Sequence, residues 1–161
     1  MIRNFKIEDT PQLLSIYNFF VLNSVVTFDL EVRAFEAFKH KVSSISSQFP
    51  FIVYELENEV LGFAYGNTFR PRPAYNNTVE STIYVKHDSH GKQIGTMLYT
   101  RLIELLAKCN YHSVIGILTI PNVASEQLHK KMGFKQVGLL KEVGFKFKEW
   151  HDIGIFQLKL N

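Results

Sequence analysis

Apolar and polar positions alternate from Ile2 to Ile7, the period-two pattern of a half-buried strand. Thr10-Pro11 then reads as a helix start, with a hydroxyl to cap and a proline where its missing N–H costs nothing. Leu13, Leu14, Tyr17 and Val21 follow at helical spacing, and Asn23 to Asp29 breaks the pattern as a loop. A second helix carries Phe35, Phe38, Val42 and Ile45 on one face and ends in the serine-rich turn Ser43 to Pro50. Phe51 to Leu56 and Val60 to Thr68 are β-rich and flank Glu57-Asn58-Glu59, a hairpin signal without the usual turn glycine. Arg70-Pro71-Arg72-Pro73 is a stiff loop, because two prolines remove two ladder donors. Thr78 to Val85 is a further strand. Gly91 and Gly95 open a helix with Ile94, Met97, Leu98, Leu102, Leu105 and Leu106 on its apolar side. Val114 to Ile120 reads as a buried strand, Pro121-Asn122 begins a helix that stops at Gly133, and strands near Lys135–Lys141 and Ile153–Leu160 close the chain. The order β-α-α-β-β-β-α-β-α-β-β predicts an α/β (α+β) fold, with a mixed sheet and helices on both its faces.

Composition narrows this little. The 161 residues suit a single domain over 1–161, and a hydrophobic fraction of 46% with 14 phenylalanines supplies a core with clustered rings. A net charge of +3, without any long Lys/Arg run, gives no nucleic-acid signature. Cys109 is the sole cysteine, so no intrachain disulfide forms and nothing suggests secretion. Met1 to Thr10 lacks the apolar core of a signal peptide, and no stretch approaches a membrane span. The expected location is the cytoplasm, with no membrane or nucleic-acid partner and no metal.

Candidate chemistry concentrates in Thr78 to Leu98. A strand leads through His87-Asp88-Ser89-His90 into Gly91-Lys92-Gln93-Ile94-Gly95-Thr96 and a helix. A helix N-terminus offers unpaired N–H groups and partial positive charge to a pyrophosphate, glycine allows close approach, and Lys92 adds a cation. The same pattern fits an ordinary strand-to-helix turn that uses glycine for geometry. It is neither a Walker loop nor a Rossmann fingerprint.

The stretch resembles the acetyl-CoA loop of the GCN5-related N-acetyltransferase superfamily, Q/R-x-x-G-x-G/A. His90 stands at the Q/R position, Gln93 at the first glycine and Gly95 at the second. Six further segments resemble the phosphinothricin and methionine sulfoximine N-acetyltransferase branch. They are Asn23 to Asp29, Phe69 to Tyr75, Thr78 to Val85, Pro121-Asn122, Ser125 to Phe134 and Gly144 to Asp152, in order along nearly the whole chain. The resemblance implies the acyl-CoA N-acyltransferase fold, a mostly antiparallel sheet of six to seven strands. It also implies acetyl-CoA as co-substrate, a small amino-acid-like acceptor, and a homodimer with the acceptor site near its interface.

Acetyl transfer from a thioester needs a neutral amine, a polarised carbonyl and a proton for the leaving thiolate. Glu80 shares a strand face with Thr78, Thr82 and Tyr84, where a carboxylate can take the ammonium proton. An arbitrary strand glutamate is more often simply exposed; the resemblance implies the general base. His129 lies one turn after Ser125, and the resemblance aligns it with a histidine implicated in catalysis. Arg70 and Arg72 match a substrate carboxylate, with Pro71 stiffening their loop, although loop arginines are commonly just solvated. Phe28 and Tyr75 are candidate apolar walls, and Ser81 and Thr82 candidate hydrogen-bonding groups. Backbone N–H groups of Tyr84 or Val85 are candidates to polarise the thioester carbonyl. The expected cofactor-binding set is Ile83, Tyr84, Val85, His90, Gly91, Lys92, Gln93, Ile94, Gly95, Thr96, Asn122 and Ser125, with Asn122 equally readable as a helix cap. Cys109 has no partner that marks it as a nucleophile. Two other readings remain open: a noncatalytic acyl-CoA-binding sensor, and acetylation of a different acceptor such as a protein N-terminus or an antibiotic amine.

Overall fold

The computed structural model describes residues 1–160. Seven strands and four helices follow one another in the expected order: β1 (Ile2–Asn4), α1 (Thr10–Asn23), α2 (Phe35–Ser46), β2 (Phe51–Leu56), β3 (Glu59–Thr68), β4 (Thr78–Val85), α3 (Ile94–Lys108), β5 (Ser113–Ile120), α4 (Val123–Lys131), β6 (Lys135–Lys146) and β7 (Glu149–Lys159). They form one seven-stranded sheet ordered β1-β2-β3-β4-β5-β7-β6. Every neighbouring pair is antiparallel except β4 and β5.

That parallel pair decides where a ligand can enter. β4 and β5 register only from Thr78–Glu80 to Ser113–Ile115. Beyond Glu80, β4 stays with β3 as far as Val85, while β5 runs on with β7 as far as Ile120. The two halves of the sheet therefore splay apart, and a gap opens between them.

Each face buries its own core. On one, Leu13, Tyr17 and Phe20 of α1 and Phe38 and Val42 of α2 pack on Phe51, Val53, Phe63 and Tyr65. On the other, Leu98, Leu102 and Leu106 of α3 pack on Ile52, Ala64, Val79, Val114 and Phe156. Each such side chain contributes roughly 1.5–3 kcal/mol by leaving water. Tyr84, on the face of β4 that also carries Glu80 and Thr82, is partly buried against the cluster formed by α1 and α2.

Three local details depart from or add to the sequence reading. Asp9, not Thr10, occupies the N-cap of α1, and the Thr10 hydroxyl donates backward to the Ile7 carbonyl at 2.6 Å. The last two strands are longer than expected and meet in a tight turn at Phe147-Lys148, both at positive φ. Neither residue is of the Asn or Gly type that advertises such a turn. Finally, in a segment the sequence reading did not orient, Gly144 and Lys146 point inward while Phe145 and Phe147 are more than half exposed. The ring of Phe28 occupies the space above Gly144, and the Lys146 ammonium donates to the Thr27 carbonyl at 2.8 Å.

Candidate active site

The gap between β4 and β5 holds a cavity of about 240 Å³. Glu80, Thr82 and Tyr84 reach it from one face of β4, and Ser81 and Ile83 from the other. Ile117 to Thr119 line it from β5, Asn122, Ser125 and His129 from the start and body of α4, and Val26 and Thr27 from the α1–α2 loop. That loop is tied down at several points. Thr119 Oγ1 donates to the Val25 carbonyl at 2.6 Å, and the Tyr17 hydroxyl donates to Asp29 at 2.5 Å. Arg33 clamps the same Asp29 carboxylate through two nitrogens, at 2.7 and 2.9 Å.

Glu80 is half-buried, and burial alone pushes its carboxyl above the usual range; no charge or hydrogen-bond donor pulls it back. A carboxylate so placed holds a proton more readily than a solvated one. Thr82 sits opposite Tyr65 on β3. Ser81, on the other face, has its hydroxyl within 2.7 Å of the Tyr99 hydroxyl and 3.3 Å of the Ile115 carbonyl.

His129 is 2% exposed. Its Nδ1 lies 2.8 Å from the Ser125 carbonyl, which can only accept, so Nδ1 carries the proton. Nε2 then accepts from the Tyr99 hydroxyl at 2.9 Å. Burial depresses its pKa, the Ser125 bond opposing this in part, so the ring is neutral near pH 7. The ring can lie this close to β5 because residue 116 is glycine: a Cβ there would stand 2.6 Å from Nε2.

A second cavity, about 370 Å³, continues from the first and shares Val26, Ile83, Tyr84, Asn122 and Ser125 with it. Val85, His90, Gly91, Gln93, Ile94, Gly95 and Thr96 line its far end, with Phe20, Ser89, Ala124 and Leu128. Lys92 is exposed and is not among the lining residues. The α3 N-terminus receives no hydrogen bond from a capping side chain, which leaves its first N–H groups to a ligand. Gly91 has φ +80° and Gln93 φ +59°, so the first-glycine position of the loop has the left-handed backbone that glycine favours. The His90 Nε2 lies 3.1 Å from the Val85 carbonyl. Asn122 is a true N-cap, its side chain accepting from the Ser125 N–H at 3.2 Å.

Strand geometry also distinguishes Tyr84 from Val85. The Lys86 N–H donates to Leu61 across β3, and N–H directions alternate along a strand. Tyr84 therefore turns its N–H toward β3, whereas Ile83 and Val85 turn theirs into the gap. An extended, amide-bearing ligand arm would find donors and acceptors along this free edge, and a pyrophosphate would find the helix start beyond it.

Other expected residues sit apart. Arg70, Pro71, Arg72 and Tyr75 form their own exposed hollow, and Phe28 packs on His151 with ring centroids 6.2 Å apart; none of them lines the Glu80 cavity. Tyr99, Thr119, Tyr17 and Lys146 shape the site and were not anticipated. Both tyrosines fit the apolar helical stripe, and Lys146 sits in an alternation that reads as outward.

Comparison with known proteins adds an independent line. The model of the Acetyltransferase (GNAT) domain matches residues 2–155. The chain is 32% identical to the phosphinothricin N-acetyltransferase of Streptomyces viridochromogenes, over 92% of this chain and 81% of that one. It is 30% identical to the L-methionine sulfoximine/L-methionine sulfone acetyltransferase of Pseudomonas paraeruginosa, over 99% and 94%. Among solved structures, an N-acetyltransferase from Staphylococcus aureus Mu50 superposes with a TM-score of 0.98 at 34% identity, covering 100% of this chain and 98% of that one. A phosphinothricin acetyltransferase from Sinorhizobium meliloti, solved in complex with acetyl-CoA, superposes with a TM-score of 0.96 at 29% identity, covering 100% and 88%.

Proposed function

The chain belongs to the GNAT acetyltransferase family, and on that premise we propose that it moves the acetyl group of acetyl-CoA to the free amino group of an amino-acid-like small molecule such as phosphinothricin or methionine sulfoximine, by direct attack of the amine with Glu80 as general base. The observation that carries this reading is the continuity of the two cavities. A carboxyl with a raised pKa stands in the first, and the second offers a free strand edge and an uncapped helix start.

The residues present fit acetyl-CoA. Ile83 and Val85 would pair with its amide-bearing arm, and the loop His90 to Thr96 would surround its pyrophosphate. Asn122 and Ser125 form the opposite wall. Acetyl-CoA supplies an activated acetyl thioester. Glu80 takes the first proton from the acceptor's ammonium, and burial, by raising its pKa, fits it to do so near neutral pH. Of the two amides directed into the gap, that of Ile83 lines both cavities and would be the one placed to polarise the thioester carbonyl, whereas Val85 lines only the second. Arg70 and Arg72, whose exposed hollow lies apart from the Glu80 cavity, are the side chains suited to hold the acceptor's carboxylate.

A second copy of the chain is the expected partner. Leu139, Leu140, Val143, Phe145, Phe147 and Trp150 are all exposed on the β6–β7 hairpin at the sheet edge, which supports a homodimer through that face. A monomer in sedimentation equilibrium at assay concentration would contradict it.

The activity is tested by following free thiol on mixing the protein with acetyl-CoA and a panel of amines. Turnover should be fastest with amino-acid analogues that carry a carboxylate, and should slow when that carboxylate is amidated. Equal rates with simple alkylamines would remove the carboxylate clamp from the account.

A further inference from the structure

Ser81, Tyr99 and His129 come from β4, α3 and α4, and their polar atoms form an unbroken line through the second core. They are 8%, 0% and 2% exposed. Nothing in the reading above requires Tyr99, yet among the described residues no buried side-chain polar atom is left unpaired. The line also has a direction. The Ser125 carbonyl holds the proton on Nδ1, so Nε2 is an acceptor. Tyr99 has one hydroxyl hydrogen and directs it to Nε2. The Ser81 hydroxyl then donates to Tyr99 at 2.7 Å, in preference to the Ile115 carbonyl at 3.3 Å. What Ser81 presents to the cavity is therefore an oxygen lone pair.

We propose that Ser81 and Tyr99 form a proton-accepting chain that connects the acceptor cavity to Nε2 of His129: the ring borders that cavity, but both its nitrogens are engaged, by Ser125 and Tyr99, so His129 serves the reaction through Tyr99. This rests on the acetyltransferase reading above. An ammonium that becomes an amide loses two protons. Glu80 takes the first before attack. When the N–C bond has formed, the nitrogen still carries a proton to lose, and when the C–S bond breaks the thiolate needs one. Ser81 accepts that second proton as it passes its own to Tyr99, and Tyr99 passes its own to Nε2. The reverse shift delivers a proton to the thiolate, so the chain ends as it began and no outside acid is consumed.

The surroundings disfavour a lasting charge on the ring, so any charge passed to it is returned promptly. Phe134 and Phe156 close the remaining sides of the His129 ring, with centroids 5.0 and 5.7 Å away. Lys130 and Lys131 follow it on the helix and are exposed, Glu126 one turn before accepts from the Asn122 N–H at 3.0 Å, and none contributes to its shift. Across the cavity the charged lining residue is Glu80. Tyr99 is thus a positioning residue: it sets the direction of the chain and keeps Nε2 unprotonated at rest.

The test uses the full chain labelled with 15N. In the free wild-type protein, histidine correlation spectra should show His129 with Nδ1 protonated and Nε2 bare, titrating below the range of a free imidazole. Tyr99→Phe removes the donor to Nε2, so His129 should titrate at a higher pH than in the wild type. The kcat should fall about 10- to 100-fold, with the KM for acetyl-CoA unchanged. Ser81→Ala, a smaller change that spares the core, should lower kcat in the same way while leaving the His129 tautomer intact; it decides the matter if Tyr99→Phe does not fold. Wild-type kcat in both variants, with His129→Asn inactive, would overturn the chain and keep His129. Full activity in His129→Asn would overturn the role of His129, and an unaffected Glu80→Gln would overturn the base.

Discussion

Gly116→Ala should disable the protein through one methyl group. The added carbon would lie 2.6 Å from His129 Nε2, 2.8 Å from its Cδ2 and 3.6 Å from the Tyr99 hydroxyl oxygen. Ordinary contact begins near 3.4 Å, so the imidazole must retreat by close to an ångström. It is held from two sides, by Ser125 at 2.8 Å and Tyr99 at 2.9 Å, and Phe134 and Phe156 close on the ring. Overpacking of this kind costs about 1–3 kcal/mol, and a weakened buried hydrogen bond adds about 1 kcal/mol. For a domain of this size each kcal/mol lowers the melting temperature by about 2–4 °C, so Gly116→Ala should melt about 5–15 °C below the wild type. Its kcat, measured well below that melting point, should also fall, because Nε2 no longer meets Tyr99. Gly138→Ala is the control. Its new carbon would approach Ile155 at 3.3 Å on a partly exposed strand, and it should cost less than about 1 kcal/mol. A Gly116→Ala protein with wild-type melting and kcat would refute the packing argument and the placement of His129.

Gln93→Gly replaces a side chain held at φ +59°. Relief of about 1–2 kcal/mol of left-handed strain, less glycine's extra entropy of about 0.5–1 kcal/mol, should raise the melting temperature by about 2 °C without weakening acetyl-CoA binding; a lower melting temperature would contradict it. Burial works to raise the Asp9 carboxyl, but the Arg3 guanidinium and the Lys6 N–H outweigh it and hold Asp9 below the ordinary range. The stability this gives is present above the unfolded value near pH 4 and is lost as pH falls through the lower folded value. Asp9→Asn should therefore melt lower at neutral pH, and its deficit should shrink on acidification; a constant deficit from pH 7 to about pH 2 would refute the linkage.

The elements were legible because each has a clear period: Leu98, Leu102 and Leu106 mark one face of α3, and the order of strands and helices followed directly. The splay was not legible, because it depends on β4 and β5 parting after Glu80, and no residue type announces where a parallel pair ends. Glu80 stood out as a carboxylate on a strand, and the structure lines its cavity with Ser81, Thr82 and His129 as neighbours. That Ser81 faces away from Thr82, toward Tyr99, follows from strand alternation, but its partner lies 18 residues on, in a different element. Tyr99 itself reads as core, since a buried tyrosine ring fits a leucine stripe and only the fold reveals where its hydroxyl goes. Lys146 was hidden for the opposite reason: a lysine between phenylalanines reads as outward, and only the Thr27 carbonyl above it explains why it turns inward. Gln93 obscured the candidate loop before α3 because a glutamine stands where the backbone conformation favours glycine.

The central claim is that Glu80 deprotonates an amine for acetyl transfer, and the pH dependence of kcat for Glu80→Gln against the wild type, with methionine sulfoximine and saturating acetyl-CoA, tests it most directly. Wild-type activity should fall on acidification through an ionisation above the ordinary carboxylate range, the direction in which burial moves Glu80. The variant should lose that limb, and its kcat should drop about 100-fold or more, while its affinity for acetyl-CoA stays within about twofold, a difference of under 0.5 kcal/mol. A Glu80→Gln protein that keeps both the rate and the acid limb of the wild type would contradict the account.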